Sequence, residues 1–108
     1  MMKFVSLVAF LGIVGLSARP AGAAPPAPWT KICAKCHGED GVGKTKMGEK
    51  LKVKDLTAPE WQDSKTDADI KKQVREGTKG KMTAVGPDKL SDVELDEIVK
   101  FIRGLRRK

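Results

Sequence analysis

Tyrosine is absent from these 108 residues, and aromatic side chains of any kind make up only 5% of them. Past residue 24, aromatic bulk comes from Trp29, Trp61 and Phe101 alone, while 32% of the whole chain is charged. So small and polar a domain is marginal without a staple, whether a metal, a disulfide or another non-protein component. Histidine occurs once and cysteine twice, which leaves a four-ligand zinc site without its second ligand cluster. Long hydrophobic runs are missing too. The longest, Phe4 to Leu16, has 13 residues against the roughly 20 needed to span a bilayer. Convincing β-alternation is also lacking, as are internal repeats and low-complexity tracts past residue 23.

What the N-terminus does contain is a positive start at Lys3, the short apolar run, and Ala21-Gly22-Ala23 as a small-residue exit. That is the pattern of a secretory signal peptide. The reading is a leader over 1–23, cleaved near Ala23, and one soluble domain over 24–108. Removing Lys3 and Arg19 leaves 19 basic and 14 acidic residues, a formal charge of +5. Such a surplus favours association with acidic partners. Nucleic acid is not expected, because the lysines do not alternate with aromatics and an exported protein rarely meets a genome.

Along the domain, Ala24 to Pro28 reads as a stiff extended leader. A short helix follows from Trp29 to His37, with Trp29, Ile32, Cys33 and Cys36 on one side. Residues 44–65 read as loop with one helical turn near Ala58 to Gln62. Thr66 and Asp69 form a capping-box pair that opens a helix carrying Ile70 and Val74, stopped by Gly77. The last helix is signed by Ser91 and Glu94 as cap and partner and by Leu90 and Leu95 at the staple positions. Leu95, Ile98, Val99, Ile102 and Leu105 form its apolar stripe, with Phe101 on the shoulder. The fold class is therefore all-α: three or more short helices joined by long loops. Loops that long in so small a domain usually wrap something.

Both cysteines and the lone histidine fall in five consecutive residues, Cys33-Ala34-Lys35-Cys36-His37. Two thiols at this spacing, followed at once by histidine, form the attachment sequence for c-type haem. One helical turn separates the sulfurs, so both can add across the vinyl groups on one edge of a porphyrin. The imidazole of His37 is then carried over the ring face, where it can ligate iron. A thioredoxin-like pair would need a βαβ context that is not here. A disulfide across three residues would constrain little of the unfolded chain. One covalent haem c is therefore the expected cofactor, and it would supply the missing core. Export agrees, because attachment of this kind takes place outside the cytoplasm.

The chain resembles the small monohaem class I cytochromes c of the bacterial periplasm over Trp29 to Leu105. The resemblance is carried by Trp29 four residues before the first cysteine, "CAKCHGEDGVGK", "DLTAPEWQ", "EGTKGKMTAVG" and "LSDVELDEIVKFIRGL". It implies a fold wrapped around one haem, with Trp29 against Phe101 where the terminal helices cross. It implies Met82 as the second axial ligand beside His37, and Trp61 is the candidate propionate contact. The proline that usually follows the ligand methionine is replaced by Thr83, and Val85 stands where an aromatic is usual. Past the leader only Met47 and Met82 could serve as a thioether ligand. Met47 is ten residues past His37, too near to round a porphyrin easily.

The expected function is a soluble, monomeric, periplasmic carrier of single electrons, not an enzyme. A thioether ligand favours ferrous iron and raises the potential. With one histidine, bis-histidine ligation within the monomer is not available. The partners would be larger redox proteins with acidic docking surfaces, met by Lys44, Lys46, Lys50, Lys52, Lys54, Lys79 and Lys81. Two alternatives stand beside this reading: a haem subunit of a periplasmic oxidoreductase complex, and a five-coordinate haem sensor or catalyst.

Overall fold

Prolines decide where the first helix can start. Pro25, Pro26 and Pro28 have no N–H to donate, but a first helical turn does not need one. The expectation of an extended stretch from Ala24 to Pro28 is corrected at its end: Ala27 and Pro28 are already helical, Pro28 at φ −61° and ψ −32°, and Trp29 N donates to the Pro26 carbonyl at 2.9 Å. The computed structural model describes residues 24–108, and the leader read at 1–23 lies outside the described residues. The expected Trp29–His37 helix is present in two parts. A wide π-type turn spans Trp29–Cys33 and passes directly into α1, Ala34–His37, which Gly38 ends at φ 82°.

Four further helices follow: α2 (Lys46–Leu51), α3 (Pro59–Ser64), α4 (Asp67–Glu76) and α5 (Asp92–Gly104). Among the described residues there is no β-strand, only an isolated antiparallel bridge between Thr78 and Met82. Both capping boxes form as the sequence predicts. Thr66 and Asp69 exchange side-chain and backbone hydrogen bonds at the start of α4, and Ser91 and Glu94 do so at α5. The expectation of loop across 44–65 is corrected at one place. Thr45 caps α2 there, accepting from Gly48 N at 2.8 Å.

The core gathers the apolar stripe of α5 (Leu95, Ile98, Val99 and Ile102) with Ile70 and Val74 of α4, and Trp29, Cys33, Leu56, Val85 and Leu90. Trp29 is 1% exposed and meets Phe101 at a centroid distance of 5.0 Å and a tilt of 57°. The first helical segment and the last therefore touch through the aromatic pair implied by the resemblance. Leu105, at the end of the stripe, is half-buried and closes over Gly41 instead.

Polar side chains tie the remaining segments to α5. Buried Gln62 donates to the carbonyls of Leu56 and Ile102 at 2.7 and 2.8 Å. Arg103 reaches back to Gln62 and pairs with Asp67, while Arg106 and Arg107 pair with Asp63 and Asp55. Arg75 donates to the Val85 and Leu90 carbonyls and pairs with Asp92, fixing the segment between α4 and α5.

Candidate haem site

The site is built from the end of α1 outward. Cys33 is buried, Cys36 is half-buried, and both are free thiols one helical turn apart. Burial, with a further contribution from neighbouring Cys36, pushes the Cys33 thiol up to about 11. It is therefore protonated at neutral pH, unlike the activated thiolates of redox pairs. Among the described residues, no three His, Cys, Asp or Glu side chains converge on a point where a metal ion could sit.

His37 stacks at a tilt on Trp29, with ring centroids 5.9 Å apart. Its Nδ1 is buried and has no hydrogen-bond partner, while Nε2 is not among the buried, partnerless atoms. Burial also pushes the imidazole pKa down, favouring the neutral form that can ligate a metal. The last carbonyls of a helix lack intrahelical donors, and here each has found one. Cys36 O accepts from Thr45 Oγ1 at 3.0 Å, His37 O from Gly43 N at 2.8 Å, and Gly38 O from Trp29 Nε1 at 3.1 Å. The backbone that carries Cys36 and His37 is thus held by three separate donors.

Helix α2 presses on this turn. A Cβ added at Gly48 would fall 2.3 Å from the Cys36 carbonyl and 2.4 Å from that of Gly43, so only glycine fits. At its far end, Leu51 forms one wall of a cleft of about 550 Å³ whose other walls are Glu76 and residues 78–84, Met82 among them. Cys33, Cys36 and His37 are not among its lining residues, so the cleft brings Met82 to its wall but not the cysteine turn.

Met82 is half-buried against the core that also contains Cys33. Its backbone pairs both ways with Thr78, at 2.8 and 2.9 Å. Gly77 makes this possible: it adopts φ 71°, and a Cβ there would lie 2.4 Å from Met82 O. Met47, the other methionine candidate, is half-buried on α2 and is not among the cleft-lining residues. Lys79 and Lys81 line the cleft and are exposed, as are Lys44, Lys46, Lys50, Lys52 and Lys54 around α2. Trp61 packs on the core from α3, outside the cleft lining.

Sequence reasoning missed Thr45, Gly48, Gln73 and Thr78. The first two position the cysteine turn and the last two contact or pair with Met82. Of these only Thr45 left a trace, as a hydroxyl ahead of Met47 and Leu51, two apolar residues at helical spacing.

The residues present fit a c-type haem: two free thiols a turn apart, a neutral imidazole beside them, and a thioether on the wall of a cleft. Comparison with known proteins points the same way. Residues 20–102 match the family model described as cytochrome c oxidase, cbb3-type, subunit III. A curated relative, the cbb3-type cytochrome c oxidase subunit FixP of Rhizobium etli, is 36% identical over 73 residues, which are 68% of this chain and 24% of the relative. The chain thus spans about a quarter of the length of the curated relative it matches. Among solved structures, the KustC0563 c-type cytochrome is similar with a TM-score of 0.68 and 33% identity, covering 73% of this chain and 93% of that one. A tyrosine-to-phenylalanine variant of the same cytochrome gives 0.65 and 33%, over 72% and 93%. The chain belongs to the cbb3-type cytochrome c oxidase subunit III family and is a small c-type cytochrome, an electron-transferring haem protein.

Proposed function

We propose that the chain carries one haem, bound through thioethers from Cys33 and Cys36, with His37 and Met82 as axial ligands, and acts as an exported single-electron carrier. The observation that carries the reading is the end of α1, where two free thiols and a neutral imidazole sit on one turn fixed by Thr45, Gly43 and Trp29. When bound, the haem would supply a one-electron ferric/ferrous couple. The protein's own share is to hold the ligands still and exclude water. Trp29 packs on both His37 and Phe101 and so backs the imidazole on one side. Gly77 and Thr78 hold the Met82 backbone. Ligands held on both sides would keep reorganisation small in a one-electron change, as a carrier needs and a catalyst with an open iron face does not. Trp61, half-buried on α3, is the candidate contact for a haem propionate.

The leader over 1–23 supports export to the periplasm and a domain starting near Ala24. Among the described residues no helix is long and apolar enough to cross a membrane. Expression in a host able to mature c-type haem tests the proposal. The expected product has the mass of residues 24–108 plus one haem, and a six-coordinate spectrum in both oxidation states. A mass without haem would sink it. Cys33→Ala or Cys36→Ala is expected to weaken attachment, and His37→Ala to abolish the normal spectrum.

One specific observation favours a second reading of the partner. The curated relative is named as an oxidase subunit, and this chain matches about a quarter of it. The domain would then deliver electrons inside an oxidase assembly rather than diffuse between complexes. Copurification with oxidase subunits from the native host separates the two.

A further inference from the structure

Helix α4 ends beside the loop that carries Met82, and one side chain of α4 touches that methionine's sulfur. Gln73 Nε2 lies 3.8 Å from Met82 Sδ, a hydrogen-bond distance for sulfur, and the same amide nitrogen donates to Thr78 Oγ1. A glutamine amide has two N–H donors. Here one goes to the residue whose backbone pairs with Met82, and the other to the thioether itself. The contact depends on Gly77, one turn after Gln73, whose bare Cα lets the loop fold back onto the end of α4. Gln73 is exposed, so nothing in the core forces its amide inward.

We propose that Gln73 is a positioning residue for the iron ligand: its amide N–H occupies one lone pair of Met82 Sδ, leaves the other for iron, and raises the reduction potential. The inference rests on the reading of Met82 as an axial ligand. The physical argument is short. A thioether sulfur has two lone pairs and accepts weakly. A donor on one of them fixes the orientation of the S-methyl group and draws electron density from sulfur. A poorer sulfur donor stabilises ferric iron less than ferrous iron, and hydrogen bonds to ligands tune metal centres in this way.

The test compares holoprotein variants by potential, by the methionine–iron band of the oxidised form, and by melting temperature. Gln73→Leu and Gln73→Ala are both neutral helix formers at an exposed position, so two independent variants keep the fold. Each is expected to retain the methionine–iron band at a shifted position. Each should also move the ferric-to-ferrous equilibrium two- to fivefold toward ferric, roughly 20–40 mV lower at about 59 mV per tenfold. A role confined to stapling the loop through Thr78 would lower the melting temperature and leave potential and band in place, which overturns the proposal. Met82→Ala separates this failure from failure of the underlying reading. If Met82→Ala keeps the band, Met82 is not the ligand and both fall. If it loses the band while both Gln73 variants match the parent potential, the ligand stands and only the role of Gln73 falls.

Discussion

Gly48 is the residue whose presence is hardest to justify locally, since a glycine inside a helix costs about 0.5–1 kcal/mol relative to alanine. The packing explains it: α2 lies so close to the end of α1 that a Cβ would meet the Cys36 carbonyl at 2.3 Å. Gly48→Ala therefore sets a propensity gain of about 0.5–1 kcal/mol against an overpacking cost of about 1–3 kcal/mol. The cost should win, lowering stability by roughly 1–2 kcal/mol in denaturant titration of the holoprotein. An unchanged or raised midpoint would mean that α2 can slide away from the cysteine turn. The two methionines give the other decisive residue-scale comparison. Met82 lines the cleft and accepts from Gln73, whereas Met47 does neither. Met82→Ala should lose the methionine–iron band and lower the potential. Met47→Ala should leave both nearly unchanged, and the reverse pattern would move the ligand to α2.

At the scale of elements, what can be read from sequence follows the strength of local signals. The start of α5 has a cap, a reciprocal glutamate and two staple leucines within six residues, and all behave as their chemistry predicts: Ser91 and Glu94 exchange hydrogen bonds, and Leu90 and Leu95 are buried. Ser91→Ala should accordingly cost about 1 kcal/mol, within the roughly 0.5–2 measured for such caps, and show as a lower thermal midpoint. No loss would mean that water or Glu94 alone serves the helix end. Helix α2 was illegible for the opposite reason. It has six residues with a glycine in the middle and ends on Lys52 at φ 56°, where a stop signal would normally be glycine or asparagine. Its stability comes from packing on α1, which no window of sequence contains. The candidate site divides in the same way. Cys33, Cys36 and His37 are adjacent in sequence and announce themselves, and Met82 was reached through the family resemblance. Thr45 and Gln73 act by proximity created only in the fold.

On the scale of the whole molecule, positive charge is unevenly used. The arginines of α5 and its end pair with Asp55, Asp63 and Asp67, and Lys71 with Asp96. Lys44, Lys46, Lys50, Lys52, Lys54, Lys79 and Lys81 have no ion pair among the described residues and are all exposed. Two of them border the cleft that contains Met82. Charge left unpaired around the face where electrons would leave creates a field that can steer an acidic partner before contact. Between exposed groups such a field is screened over about 10 Å at 0.1 M salt and about 8 Å at 0.15 M. For a diffusing carrier, the second-order rate of electron transfer to an acidic redox partner should therefore fall steadily as salt rises. Lys79→Glu and Lys81→Glu should each slow it roughly several-fold at low salt, since rim charges act mainly on the association rate. Lys100→Glu makes the same change of charge on α5, away from the cleft lining, and should slow it much less. Stopped-flow mixing across a salt series measures all three. A domain fixed within an oxidase assembly behaves differently: its electrons cross a preformed contact, so the rate would be first-order and nearly indifferent to salt. Equal slowing by all three substitutions would assign the effect to net charge alone and remove the cleft rim as the docking face.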